Sequence, residues 1–375
     1  MLKLEDFFLI CPVGFESSVQ EEIRKTQPWI LGADSRPSPH LIEIVQERKG
    51  GLEVRAPKLE GFQLVHHLKS PVRILWRWKS KKISHVTELK NWLRSLRPQE
   101  IYEGPLKLQI HSRQSRLQNE KMIERVFHED WKNLKEESAQ TLYVDLYQDQ
   151  MTLSWDLCGE PLYKRSWAPY KGQAPLRENL AHLLLQDLTE GFTGPELSQM
   201  SLVDPMMGSG TFLWEALSWN WLNTERAFSY QSWKGLPSFF KIEWWKNSLR
   251  PRQSLFKHYE GYDQDPHMVE IAQKNATLFE PAELHLEVQD VRQAQPLKTN
   301  SERLLISNPP YGERIAGDSV ENLIRSSLEA FKPLRALFVW PEGKIPSFLG
   351  YRSDLKRKFL HGGIPVQVIV FSRNS

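Results

Sequence analysis

The sequence predicts an α/β protein: a mostly parallel, Rossmann-like sheet with an antiparallel C-terminal edge, preceded by smaller α+β modules. Three observations carry this. A strand, a Gly-containing turn and a helical pattern succeed one another across 201–217. Two further strand-like stretches, 259–263 and 286–290, each end on an acid. A last one, 304–307, runs into Asn308-Pro309-Pro310-Tyr311. At 375 residues and 40% hydrophobic content, the chain is long enough for two or three packed domains.

The elements follow in order. A strand over 7–11 leads through Pro12-Val13-Gly14 into a helix over 15–25, where Phe15, Val19 and Ile23 share one face. Strands at 41–45 and 52–55 flank Lys49-Gly50-Gly51, a hairpin signal. A helix near 61–68 and a strand at 72–78 complete an α+β module whose alternation suggests a ferredoxin-like fold. Next come a helix over 86–96 closed by Pro98, a strand over 106–111 and a helix over 119–134. Strands at 142–146 and 151–157 flank a tight turn near Asp149. The Pro- and Gly-bearing stretch 163–174 reads as a linker, and a long helix opens at Pro175 and runs through Leu188. Trp219, Trp221, Trp233, Trp244 and Trp245 mark an apolar helical insertion packed on the sheet; a ring exposed for base stacking is the alternative. Runs at 337–340 and 366–371 supply the last strand pair.

The net charge of +3 conceals an asymmetry: 69–135 carries +9 and the remainder −6. Trp76, Trp78, Trp92, Tyr102 and Trp131 interleave with those basic residues, a pattern that suits RNA, while a solvated helical face is the plainer account. Arg113, Arg116 and Lys121 are the expected phosphate contacts. Cys11 and Cys158 are far apart and have no neighbouring ligand residues at metal spacing, so neither a disulfide framework nor a metal is expected. The acidic start Met1-Leu2-Lys3-Leu4-Glu5-Asp6 is unlike a signal peptide, and no run approaches a membrane span. The expectation is a cytoplasmic protein with no membrane contact.

The chemistry is written at the strand ends. An exocyclic amine on a nucleobase is a poor nucleophile, because its lone pair is delocalised into the ring. The Asn308 side-chain oxygen and the Pro309 carbonyl can both accept from such an amine and localise its lone pair as a methyl group arrives. Pro309 and Pro310 stiffen the loop, and Tyr311 offers a ring face to the base. A rigid turn is the plainer reading of these four residues taken alone. Upstream, Gly208 and Gly210 allow a ligand close to the backbone. No Lys follows Gly210 and the spacing is not G-x-G-x-x-G, so this is neither a phosphate loop nor the dinucleotide fingerprint. Asp263 is placed to hold ribose hydroxyls and Asp290 to accept from an adenine amine. Gly turn, ribose acid, adenine acid and Asn-Pro-Pro-Tyr, in that order, point to an S-adenosylmethionine-dependent amino-methyltransferase.

Five stretches then carry a resemblance: LCGEPLYKR from Leu157, GQAPLRENLAHLLL from Gly172, DPMMGSGTFLWEA from Asp204, GYDQDP from Gly261 and SNPPYGER from Ser307. The sequence resembles the THUMP-containing guanine-N2 RNA methyltransferases, especially the bacterial large-subunit (23S) rRNA type. The family's usual Arg-Gly-Tyr-Arg is here Arg165-Ser166-Trp167-Ala168. The resemblance implies a class I methyltransferase domain over 158–375, a THUMP-like RNA-binding domain over 69–157 and a ferredoxin-like module over 1–68. It implies a donor site from Asp204, Pro205, Gly208, Gly210, Thr211, Asp263 and Asp290, with Pro175 and Asn179 beside the methyl donor. Asn308, Pro309, Pro310 and Tyr311 are the implied catalytic loop, and naked or precursor rRNA the implied partner. A tRNA guanine-N2 enzyme, a DNA adenine-N6 methyltransferase and a non-catalytic RNA-binding assembly factor are the alternatives.

Overall fold

A computed structural model describes residues 3–32, 36–138, 140–172, 176–224, 226–236, 254–279, 283–310 and 320–374. The expected roles of Pro175, Trp244, Trp245 and Tyr311 fall outside the described residues. The chain divides into two compact units: Met1–Pro12, Val19–Lys164 and Leu222–Leu249 form the first; Val13–Ser18, Arg165–Trp221 and Arg250–Ser375 form the second.

Along the chain, the elements up to the linker are β1 (Leu4–Ile10), α1 (Glu16–Thr26), β2 (Glu43–Arg48), β3 (Gly51–Pro57), α2 (Lys58–His67) and β4 (Arg73–Lys82). They continue with α3 (Val86–Ser95), β5 (Leu106–Arg113), α4 (Glu120–Asp130), β6 (Gln140–Tyr147) and β7 (Gln150–Asp156). The first unit's seven strands form one sheet in the order β2-β3-β1-β4-β7-β6-β5. β5 and β6 are parallel, joined across α4; every other neighbouring pair is antiparallel. The strands before and after residue 68 are therefore hydrogen-bonded partners, with Phe7 opposite Trp76. The expected turn near Asp149 is a two-residue hairpin loop. Gln148 and Asp149 both take positive φ (51° and 62°), the mirror-image geometry that matches strand twist. The helix expected over 119–134 stops at Asp130, because Leu134 turns back to bridge Leu106 and the Lys135 amide donates to the Leu106 carbonyl.

α2 is buried all round from Glu60 to His67, the mark of a helix enclosed in a core. Part of its enclosure comes from far along the chain. Asn223 Nδ2 donates to the carbonyls of Val65 and Leu68, at 3.1 Å each, satisfying acceptors that a helix end leaves without intrahelical partners. His66 Nδ1 lies 2.9 Å from the Asn223 carbonyl, and Nε2 lies 2.6 Å from the Tyr230 hydroxyl. Burial lowers the His66 pKa to about 4, so the ring is neutral. A carbonyl can only accept, so Nδ1 carries the proton and Nε2 accepts from Tyr230. Trp233 packs between Trp76 and Trp155, with ring centroids 5.8 and 5.5 Å away. Trp233 is thus core of the first unit, whereas Trp219 and Trp221 belong to the second, Trp219 lying against His182 and Trp221 against Trp167 and Phe279. The described part of the Trp-rich stretch holds a short 3-10 turn, Ser229–Ser232, in place of the expected helix.

The second unit continues with α5 (Glu178–Thr189), α6 (Gly194–Leu197), β8 (Ser201–Asp204), α7 (Thr211–Leu217), β9 (His258–Asp263) and α8 (Pro266–Ala276). It ends with β10 (Glu283–Val288), β11 (Arg303–Ser307), α9 (Val320–Phe331), β12 (Arg335–Pro341), β13 (Tyr351–His361) and β14 (Ile364–Arg373). Its sheet runs β10-β9-β8-β11-β12-β14-β13. The first five are parallel, and β14 and β13 close the edge antiparallel. Both faces of β8 and β11 are covered, so their central residues, Leu202-Val203 and Leu304-Leu305-Ile306, are apolar without alternation. Ile324, Leu328 and Phe331 of α9 pack with Leu305, Phe338 and Phe371. The strand order reverses between β8 and β11, and open α/β sheets bind ligands in the crevice outside such a point.

Candidate active site

A cleft of about 350 Å³ lies at the carboxyl ends of β8, β9, β10 and β11. Asp204, Pro205, Gly208, Thr211, Asp263, Asp290, Asn308 and Pro310 line it, bringing together residues more than a hundred positions apart. Gly210 and Asn179 do not line it. Gly210 caps α7 at φ 83°, where an added Cβ would fall 2.7 Å from the Trp214 ring; Asn179 is buried in α5. Pro309 is buried beside Asn308.

The carboxylates are held in different ways. Asp263 Oδ2 accepts the Gly208 amide at 2.8 Å and Oδ1 accepts the Asp265 amide at 2.9 Å. Asp263 thus also shapes the glycine turn. Burial raises its pKa against the pull of those two amides. Asp290 is gripped by Arg292, whose backbone N–H and Nε both donate to Oδ1 at 2.9 Å. The Arg292 side-chain bonds lower the Asp290 pKa and keep it ionised. Asp204 is sealed from water, and burial pushes its carboxyl up to about 8. Its Oδ1 accepts the Met206 amide at 3.2 Å and the Ser307 hydroxyl at 3.0 Å.

Asn308 Oδ1 is buried and accepts no hydrogen bond among the described residues. A buried amide oxygen left without a donor costs about 1–3 kcal/mol, and this one stands at the wall of the cleft, where a ligand could donate to it.

Sequence reasoning missed the apolar walls Met206, Met268, Val291 and Leu323, and the polar Gln289. Gln289 directly precedes Asp290, and its amide donates to the Asp263 carbonyl, so the strand-end position itself was the available signal. At the altered Arg165-Ser166-Trp167-Ala168, Arg165 forms a buried ion pair with Glu215, Nε to Oε1 at 3.1 Å, and Ala168 takes φ 56°.

In the first unit, Arg113 ends β5 and Arg116 follows in the loop after it, pairing with Asp145 at 3.3 Å and Asp149 at 3.6 Å while remaining mostly exposed. Lys121 is exposed on α4. Of the aromatics interleaved with the basic stretch, Trp76, Trp92 and Trp131 are buried, so those three rings belong to the core and offer no stacking face. Among the described residues no helix is long and apolar enough to cross a membrane, and no cluster of three metal-ligating side chains occurs.

Residues 165–340 match the family model described as RMKL-like, methyltransferase domain. The chain is 30% identical over 200 residues to a ribosomal RNA large subunit methyltransferase K/L of Buchnera aphidicola, covering 48% of this chain and 27% of that protein. It is 29% identical over 250 residues to the protein of the same name from Vibrio parahaemolyticus, covering 62% and 34%. The chain thus spans about a third of the length of these relatives. Among solved structures, one from Clostridium difficile 630 superposes with a TM-score of 0.78 at 23% identity, covering 100% of this chain and 99% of that one. The crystal structure of SMU.472 complexed with SAH superposes at 0.73 and 22%, covering 100% of both chains. TrmN from Thermus thermophilus superposes at 0.67 and 18%, covering 99% of this chain and 100% of that one. The fold is a mixed α/β methyltransferase fold with two sheets, similar to class I S-adenosylmethionine methyltransferases.

Proposed function

We propose that the protein is an S-adenosylmethionine-dependent RNA methyltransferase acting on the exocyclic N2 amine of guanine, in 23S rRNA. The Asn308 side-chain oxygen, buried and accepting no hydrogen bond among the described residues, carries this reading. It sits where the acceptor amine must meet the donor cleft, and it is the type of group that such an amine needs. The names of the large-subunit relatives and the family match over 165–340 support the substrate class.

The donor supplies an electrophilic methyl group when bound. The cleft fits it: Asp263 is set to hold the ribose, Asp290 to accept from the adenine amine, and Met268, Val291 and Leu323 to wall the rings. The turn of Asp204, Pro205, Gly208 and Thr211 takes the methionine side. Asn308 Oδ1 and the Pro309 carbonyl accept from the guanine amine and localise its lone pair, while Pro310 keeps the loop stiff. The base must be flipped or single-stranded to reach Asn308, which favours naked or precursor rRNA. Tyr311 is the proposed stacking face.

Arg113, Arg116 and Lys121 are the proposed phosphate contacts. The order β1-α1-β2-β3-α2-β4 with spatial order β2-β3-β1-β4 supports a ferredoxin-like reading of the N-terminal module. Its last strand then runs past residue 68 to Lys82. The proposed THUMP-like part extends from there to about residue 157, with the catalytic domain beyond it. The reading places the protein in the cytoplasm, where rRNA is made in bacteria.

The test is transfer of labelled methyl to unmodified rRNA, tRNA and duplex DNA, with Asn308→Ala as control. Product on rRNA that releases N2-methylguanine on digestion is the expected result. Label confined to DNA adenine, or no transfer to any nucleic acid, overturns the proposal.

A further inference from the structure

We propose that Ser307 is a positioning residue for methyl transfer, fixing the acceptor loop against the donor turn through Asp204. The inference rests on the role given to Asn308 above. β8 and β11 lie side by side, and their paired register ends at Val203 and Leu305. Beyond that point β8 enters the turn that starts at Pro205, and β11 enters Asn308-Pro309-Pro310. Side chains bridge the strands where the backbone pairing stops. Ser307 Oγ donates to Asp204 Oδ1 at 3.0 Å, and the same oxygen accepts the Met206 amide at 3.2 Å. One carboxyl oxygen thus holds both the residue before Asn308 and the second residue of the donor turn.

Both side chains are closed to water, Ser307 at 0% and Asp204 at 1% exposure. Water therefore does not compete for the bond, and in such surroundings a hydrogen bond is electrostatically stronger than in solvent. On its other side Ser307 is fixed opposite Phe338 of β12. Ser307 does not line the cleft, so it acts through its neighbours and not on the reacting atoms. The need for such a tie follows from the chemistry: in a reaction governed by placement, a shift of about 1 Å costs on the order of a hundredfold in rate.

The test compares the full-length wild type with Ser307→Ala and Ser307→Thr. Three quantities are read: the single-turnover rate at saturating donor and RNA, S-adenosylhomocysteine affinity by calorimetry, and hydrogen exchange of the peptide carrying Asn308 with and without S-adenosylhomocysteine. Ser307→Ala is expected to slow turnover by about tenfold to a hundredfold while holding donor affinity within about threefold. It should also lose the donor-induced protection at Asn308. Ser307→Thr keeps the hydroxyl and should recover both. Undiminished turnover and protection in Ser307→Ala overturn the inference. So does a rate loss that merely tracks donor affinity, or a Thr variant with wild-type Tm that behaves as Ala. The exchange readout needs no RNA. A wild type that binds S-adenosylhomocysteine and protects Asn308, yet methylates no RNA, sinks the proposed function and leaves the coupling standing.

Discussion

Asp263 Oδ2 accepts the Gly208 amide at 2.8 Å, so the acid at the end of β9 fixes the glycine turn that follows β8. Gly208 takes φ 54°, and an added Cβ there would meet nothing within 4 Å. The glycine is therefore required for its backbone conformation and its open face, not for packing.

Replacing Asp263 should remove both the proposed ribose contact and the anchor of that turn. Asp263→Ala is expected to weaken S-adenosylhomocysteine binding by about tenfold to a hundredfold, a loss of the order carried by one or two charge-assisted hydrogen bonds. Calorimetric titration reads it directly. Affinity equal to wild type would show that this carboxylate does not face the donor.

Asn308→Ala should lower turnover by about a hundred- to thousandfold and leave donor affinity within about twofold. The variant also removes a buried acceptor that has no donor among the described residues, so its Tm should not fall. Single-turnover kinetics and thermal melting, run on one preparation, check both halves; full activity would remove the loop from the mechanism.

The Asp204 carboxyl predicts a pH dependence of stability. An Asp in water titrates near about 4, and burial raises this one to about 8. The folded state therefore binds the proton more tightly than the unfolded state does. The stabilisation is complete below the unfolded value and is lost as pH rises through the folded one. Asp204→Asn cannot ionise, and its Oδ1 can still accept from Met206 and Ser307. Its Tm relative to wild type should therefore climb by a few degrees, about 2–4 °C, between pH 6 and pH 9. A constant offset across that range would show that Asp204 does not titrate there.

RNA binding should report on Arg113, Arg116 and Lys121. Changing all three to Ala is expected to reduce the log–log salt slope by about one unit per lost phosphate contact, with donor affinity unchanged. Filter binding from about 50 to 300 mM salt gives the slope. An identical slope would leave Arg113 and Arg116 to the solvated ion pairs with Asp145 and Asp149 that they already make, and Lys121 to the exposed face of α4.

Much of the site was legible because each of its parts is local. Asp204, Asp263, Asp290 and Asn308 all stand at the ends of short strand-like stretches, and strand ends are visible in a single pass along the chain. The hidden parts are those that depend on a distant partner. Nothing near Trp233 announces Trp76 or Trp155, so its ring reads equally as insertion or stacking platform until the fold supplies its neighbours. The joining of β1 to β4 is likewise a pairing of runs some seventy residues apart, about which periodicity is silent. Arg292 gripping Asp290 is local, but a charged residue two positions from an acid is too common to signal anything.

The first unit is discontinuous in sequence, and this sets an order of events during synthesis. Chains emerge from the ribosome N-terminus first, at roughly 5–20 residues per second. β1 through β7 are complete by Asp156, yet the carbonyls of Val65 and Leu68 wait for Asn223, His66 waits for Tyr230, and Trp76 and Trp155 wait for Trp233. The nascent sheet therefore spends the time taken to make some eighty more residues with an open apolar seam. During that interval the second unit's first strand and glycine turn are being made. The maturing chain is most exposed to misassembly in that window, and a chaperone that shields apolar seams has its opportunity there.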